Sequence, residues 1–368
     1  MGLFSRVGEL PPSTSGRSRH DPLLAAAHAA LSGIWGLTAS IRKPPPLPRR
    51  DFIQRLEVAD RRVVAHDENV IALTLSSTDG GPLPRWFPGA HIDVHLPSGR
   101  VRQYSLNGDP ADRDSYRIAV RRIPDGGGGS VEVHDTLTVG ATVTTRGPRN
   151  AFPLSIPGHG SRARRVRFVA GGIGITPILP MIGQAEQRHV EWSLVYVGRS
   201  RDSLPFLDEV SQFGDRVTIR TDDVHGLPTA EDLLGDCPDG TAVYACGPAP
   251  MLTTIRSRLA GRANVELHFE RFAAPPVIDG MQFSVSVAST GQIVDVGATE
   301  TLLSALQRAR VAAPYSCQQG FCGTCRTGVL EGVVEHRDTL LTDPERAAGT
   351  MLVCVSRARE GERLILDL

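Results

Sequence analysis

The stretch "APYSCQQGFCGTCRTGVLEG" (residues 313–332) packs Cys317, Cys322 and Cys325 into nine positions of a 368-residue chain that has only six cysteines. Thiols spaced C-x4-C-x2-C, with Gly320 and Gly323 between them, oblige a loop to converge on one centre. Three chemistries compete: a disulfide framework, a zinc site and an iron–sulfur cluster. Disulfide frameworks belong to short, cysteine-dense secreted chains, and this chain is too sparse in cysteine for one. Structural zinc usually takes two short C-x2-C pairs; here there is one such pair, one x4 gap and a remote single cysteine, Cys354. Four thiolates hold an iron–sulfur cluster, and C-x4-C-x2-C…C is the plant-type [2Fe–2S] spacing. The expected ligand set is Cys317, Cys322, Cys325 and Cys354, with zinc as the alternative. The glycines suit a loop whose backbone N–H groups must point at sulfur.

Charge and composition narrow the partners. Forty basic residues balance forty acidic ones, so no global field draws the chain to nucleic acid. Aromatics make up 5% of residues, too few for a base-stacking surface. "SRARRVRF" (161–168) is a local basic patch, the size of a solvated face or a small anion site. The N-terminus lacks the apolar core of a secretory signal. No apolar run approaches the roughly 18 residues of a membrane span. A cytoplasmic protein in a reducing compartment is expected.

The pattern along the chain changes three times. Residues 1–50 hold one candidate helix, "DPLLAAAHAALSGIWGLTASI" (21–41), stopped by the stiff "RKPPPLPRR" (42–50). Residues 51–157 alternate apolar and polar positions in short runs such as "HIDVHL", "VRQYSL" and "YRIAVRRI", separated by turn residues. Such spacing predicts a small antiparallel barrel. Residues 158–274 switch to strands alternating with helical stretches, the βαβ pattern of a parallel sheet covered by helices. After the linker "AAPPVIDG" (273–280), residues 280–368 read as a hairpin, a helix, the cysteine loop and a last strand. The expected fold class is multi-domain α/β plus β: an antiparallel β-barrel, a Rossmann-like domain and a small third domain of strands and one helix.

On those cysteines, residues 281–368 resemble a plant-type ferredoxin domain, which implies a β-grasp fold behind an antiparallel flavin-binding β-barrel and a Rossmann-like nucleotide-binding domain. The order of barrel, nucleotide domain and ferredoxin over about 51–368 resembles the phthalate dioxygenase reductase family, whose relatives include vanillate demethylase reductase. Within the barrel, "RQYSL" (102–106) is similar to the flavin-binding strand R-x-Y-S-[LT] of such reductases. The resemblance implies flavin contacts for Arg102, Gln103, Tyr104, Ser105 and Leu106. Arg102 would offer a fixed fork to a phosphate, Tyr104 an aromatic face, and Ser105 a hydroxyl near the ring edge. The run "DGGGGSVEVHD" (125–135) resembles the turn that closes on the FMN phosphate, implying Gly128, Gly129 and Ser130. Consecutive glycines leave N–H groups free as an anion nest. FMN is expected ahead of FAD, and a plain hairpin turn is the alternative.

"FVAGGIGITP" (168–177) is not G-x-G-x-x-G, yet it places a glycine turn between a strand and a helix start, where N–H groups and the helix dipole favour a pyrophosphate. Gly172, Gly174 and Thr176 are the expected contacts. The resemblance puts Cys246 and Gly247 of "YACGP" (244–248) beside a nicotinamide. From "HFERF" (268–272) it sets Phe272 over the flavin ring with Glu270 close by. Without it, Cys246 and Phe272 are ordinary core residues. Family members can carry, after the second strand, an acid that accepts from the adenosine ribose. Here that segment reads "VGRSRDSLPF", with Ser200 at the expected position. Arg199 and Arg201 flank it and could pair with a 2′-phosphate, while Asp202 could recover the ribose contact; NADH and NADPH both stay open.

The implied function is electron transfer from NAD(P)H through FMN to a [2Fe–2S] cluster and on to a terminal oxygenase. The oxygenase is expected to be of Rieske type, with a cytochrome P450 or diiron enzyme as variants, and the reductase is expected to be a monomer. The side chains expected at the chemistry are Ser105, Cys246, Glu270 and Phe272. One rival is an FAD-containing reductase of a monooxygenase; such chains usually put the ferredoxin first. Another is a zinc-clamped, cofactor-free binding module. A partner is expected to dock around Gln318, Gln319 and Phe321.

Overall fold

The computed structural model of the chain describes residues 53–368 apart from 68, 125–127, 159, 273–276, 316–317, 321–322, 339 and 360–361. The helix expected at 21–41, Cys317, Cys322 and Phe321 lie outside the described residues. Asp51–Leu368 is one compact unit.

The first sheet contains β1 (Ile53–Ala65), β2 (Val70–Ser77), β3 (Ala90–His95), β4 (Val101–Ser105), β5 (Ser115–Arg121) and β6 (Thr142–Asn150). They run antiparallel in the order β4-β3-β6-β1-β2-β5. The sheet curls until its two edges meet, where Asn107 N–H donates to the Arg117 carbonyl at 2.9 Å. Period-two alternation turns Leu56, Val58, Leu73, Leu75, Ile92 and Ile118 inward as one core. The glycine run opens a helix, α1 (Gly129–Thr136), where sequence patterning offered a plain hairpin turn as the alternative. Gly128 starts it at φ 75°, a left-handed conformation that glycine takes without steric cost.

The second sheet is wholly parallel: β7 (Arg165–Gly171), β8 (Glu191–Gly198), β9 (Val217–Thr221), β10 (Thr241–Cys246) and β11 (Val265–Glu270), in the order β9-β8-β7-β10-β11. Helices α2 (Ile175–Gln187) and α3 (Ala249–Leu259) belong to separate apolar clusters, one around Phe168, Ile178 and Tyr244 and one around Val169, Val243 and Ile255. Strand order reverses between β7 and β10. In sheets of this kind, ligands bind beyond the carboxyl ends of the two strands at such a switch point.

The third sheet comprises β12 (Phe283–Val287), β13 (Ile293–Val296), β14 (Arg326–Glu331), β15 (Thr350–Leu352) and β16 (Arg363–Asp367), ordered β13-β12-β16-β14-β15. A helix, α4 (Leu302–Arg308), packs on it after the cap Thr301, whose hydroxyl accepts from Ser304 N–H at 3.1 Å. Arg326 pairs with Leu352 across β14 and β15. That register carries the residues just beyond the strand ends, Cys325 and Cys354, to one place.

Candidate functional site

Two buried thiols define the C-terminal centre. Cys325 and Cys354 are 2% and 1% exposed, with their Sγ atoms 3.2 Å apart. An all-sulfur pair supplied by strand ends 29 positions apart fits half of a four-thiolate cluster cage. The loop glycines also serve packing. Gly320 and Gly323 sit at φ 80° and 73°, and a Cβ on either would lie 2.7 Å from Val355 or 2.8 Å from Leu340. Beneath them the buried Asp338 carboxylate accepts from Leu341 N–H at 2.8 Å, Leu340 N–H at 3.2 Å and Arg346 at 3.4 Å. Burial raises its pKa, but these donors outweigh it and hold the group below the usual range.

The flavin-strand residues separate by face. Ser105 and Gln103 turn with His91, Val101 and Arg102 into a cavity of ≈ 130 Å³, which Glu270, Arg271 and Phe272 close from the end of β11. Tyr315, Gln318 and Gln319 close it from the third sheet's side. Gln319 donates to the Arg271 carbonyl, and both glutamines expected at a docking surface line this cavity while staying half-buried. Tyr104 packs on the barrel core, and burial pushes its phenol well above the usual range. Leu106 is fully buried and pins the strand end to β3 through the Ala90 carbonyl at 2.8 Å.

The glycine turn meets Arg102. A Cβ on Gly129 would come within 2.2 Å of Arg102 Nε, so this glycine leaves the space the guanidinium fills. Gly128 lies against Arg100, which pairs with Glu132 at 3.3 Å. Ser130 Oγ accepts from Ile123 N–H at 3.0 Å and fastens the turn. A helix start beside two arginines, with no side chain on two successive residues, is a fitting cradle for a phosphate. Sequence patterning missed Arg100, His91 and Asp93. Asp93 is buried and accepts from Gln103 at 3.0 Å and from Arg149, which sets the strand's outward face. Only the alternation of "HIDVHL" hinted that His91 and Asp93 point away from the barrel core.

The carboxyl ends of β7 and β10 at the switch point gather Gly172, Gly174, Thr176, Cys246 and Gly247. A Cβ on Gly174 would stand 2.2 Å from the Cys246 carbonyl, and one on Gly247 3.0 Å from Gly171; the two turns touch backbone to backbone. Thr176 is buried and its hydroxyl donates to the Ile173 carbonyl at 3.0 Å. Tyr196, unforeseen from sequence, donates to the Gly172 carbonyl at 3.1 Å. Cys246 is paired in register with Glu270. Burial and then the neighbouring Glu270 push the Cys246 thiol well above its usual pKa, so it stays protonated. Burial pushes the Glu270 carboxyl up to about 8, and its Oε2 has no hydrogen-bond partner among the described residues. Phe272 is 51% exposed at the cavity edge. At the end of β8, Ser200 caps a short turn while exposed Arg199 and Arg201 flank it.

Residues 285–359 match the 2Fe-2S iron-sulfur cluster binding domain family. Over 309 residues the chain is 42% identical to "Phenoxybenzoate dioxygenase subunit beta" of Ectopseudomonas oleovorans, covering 83% of this chain and 94% of that protein. It is 40% identical to the vanillate O-demethylase oxidoreductase of Pseudomonas sp. strain HR199, covering 84% and 98%. Among solved structures, phthalate dioxygenase reductase, described as modular for electron transfer from pyridine nucleotides to [2Fe–2S], superposes with a TM-score of 0.65 at 33% identity, covering 88% of this chain and all of that one. No helix among the described residues is long and apolar enough to cross a membrane.

Proposed function

The chain belongs to the phthalate dioxygenase reductase family of oxidoreductases, and we propose that it moves electrons from NAD(P)H through FMN to a [2Fe–2S] cluster and out to a terminal oxygenase. The observation that carries this reading is the cavity where the barrel strand, the end of β11 and residues of the cysteine loop converge. Bound there, FMN would take electrons as a pair from the nicotinamide and release them singly.

The chain's own residues divide the work over three modules, 51–157, 158–274 and 280–368. Arg102 and the Gly128–Ser130 turn hold a phosphate; Ser105 and His91 border the ring site. Gly172, Gly174 and Thr176 form the pyrophosphate turn, and Gly247 lets the coenzyme approach backbone. Glu270 keeps its proton at neutral pH, so no negative charge opposes an arriving hydride. Phe272, half exposed, can yield its place to the nicotinamide. Cys317, Cys322, Cys325 and Cys354 hold the cluster. The names of the relatives, a dioxygenase subunit and an O-demethylase oxidoreductase, favour an oxygenase as acceptor, with a Rieske non-haem iron enzyme first. The reductase acts as a monomeric shuttle.

Denaturing the purified protein should release FMN; FAD in the extract would refute the cofactor. Cys322→Ser should remove the cluster's visible absorbance and keep NAD(P)H-dependent flavin reduction. Loss of flavin reduction in a folded C322S protein would refute the order of transfer.

A further inference from the structure

In doubly wound nucleotide-binding domains an acid beyond the first βα unit accepts from the ribose 2′-hydroxyl of NADH, and an arginine there suits the 2′-phosphate of NADPH. In this chain Ser200, after β8, stands where that acid is expected, and its hydroxyl is already committed. It accepts from Ser203 N–H at 3.2 Å, and the Ser200 backbone N–H donates back to Ser203 Oγ at 3.1 Å. The proton of Ser200 Oγ goes to Asp67 Oδ2.

Asp67 is not part of the nucleotide-binding sheet. It lies in the turn between β1 and β2 of the barrel, 133 positions earlier. The turn is fastened to the loop after β8 by two backbone bonds, from His66 N–H and Asp67 N–H to the Asp202 carbonyl at 3.1 and 3.3 Å. Asp67 is exposed, and its Oδ1 receives no hydrogen bond among the described residues.

We propose that Asp67 selects the coenzyme: the barrel delivers to Ser200 the carboxylate that the nucleotide domain itself lacks. It accepts from the adenosine ribose hydroxyls of NADH and repels the 2′-phosphate of NADPH. The proposal rests on the reading that a pyridine nucleotide lies across the carboxyl ends of β7 and β10. Arg199 and Arg201 act in the opposite sense, but they do not face a neutral loop. Asp223 N–H donates to the Arg199 carbonyl at 3.0 Å, so the start of an acidic turn abuts the same loop. A 2′-phosphate set against the Asp67 carboxylate meets a like charge at close range, which costs binding.

The test uses Asp67→Asn, whose side-chain oxygen can still accept from Ser200. Holoenzyme would be assayed for kcat/KM with NADH and NADPH. Calorimetry on the oxidised holoenzyme would measure affinity for adenosine 5′-phosphate and for its 2′-phosphorylated form. The NADH-to-NADPH ratio should fall by about tenfold in D67N, and the two adenylates should shift by a similar factor. Adding Ser200→Asp to D67N should restore the ratio, since an acid also caps that turn well. A D67N protein with parental visible absorbance and unchanged ratios would overturn the proposal and leave the electron-transfer reading intact. A parent protein that oxidises neither coenzyme and binds neither adenylate would overturn both.

Discussion

Replacing Gly129 with alanine isolates the phosphate cradle from the rest of the protein. The added Cβ would stand 2.2 Å from Arg102 Nε and 2.8 Å from its Cγ and Cζ. Since the obstacle is a side chain, the guanidinium must swing away rather than the backbone break. Gly129 opens α1 and is not among the residues with positive φ, and alanine is favoured over glycine within helices by about 1 kcal/mol. The helix should therefore not weaken, and the damage should fall on the phosphate site alone. Hydrogen bonds to charged groups contribute roughly 1.5–3 kcal/mol each. Losing one such bond to the FMN phosphate raises Kd by about 10- to 140-fold at about 1.4 kcal/mol per decade. The assay is quenching of FMN fluorescence on titration into deflavinated protein, with the cluster's absorbance as an internal control. Arg102→Lys should give a smaller loss, because charge survives but the fork does not. A G129A protein that binds FMN within about threefold of the parent would refute the assignment of this turn to the phosphate.

Two further perturbations probe the buried acids. Burial pushes the Glu270 carboxyl up to about 8, so flavin reduction by NADH should slow as pH rises through that value, and Glu270→Gln should flatten the profile. The same shift bears on stability: a carboxyl whose folded pKa exceeds its unfolded value, near 4.3, stabilises the native state least at high pH. The melting temperature of E270Q relative to the parent should rise between about pH 5 and pH 8 and then level off; a constant difference would contradict the burial of a protonated acid. Asp338 has the opposite sign, being held below the usual range. Asp338→Asn should lower stability by roughly 1–3 kcal/mol at neutral pH and speed loss of the cluster's absorbance on warming. The deficit should shrink as the parent is acidified below about pH 4; equal cluster retention at pH 7 would count against Asp338 as a support of the loop.

Much of the architecture was legible because the signals are local. The alternation in "HIDVHL" and "VRQYSL" reports which residues of a half-buried strand face the barrel core. The strand, glycine turn and helix of "RRVRFVAGGIGITPILP" report a parallel βα unit. The cysteine spacing is equally local, since a short loop can wrap one cluster only with certain gaps. The helix at Gly129–Thr136 was less legible, because four glycines beside a short polar segment carry a weak helical period.

Sequence alone determined the residue types that chemistry requires, namely thiols at cluster spacing, an arginine and glycines for a phosphate, and a glycine turn for a pyrophosphate. Tertiary structure decided which of them meet and in what medium. Glu270 acquires its high pKa only when β11 ends in a buried junction closed by other modules. Gln318 and Gln319 join this cavity because Gln319 reaches the Arg271 carbonyl. Asp67 reaches Ser200 across 133 positions only because the barrel turn is fastened to the loop after β8. Burial and contact between distant segments are set by how the sheets are placed, and no local pattern of residues encodes them.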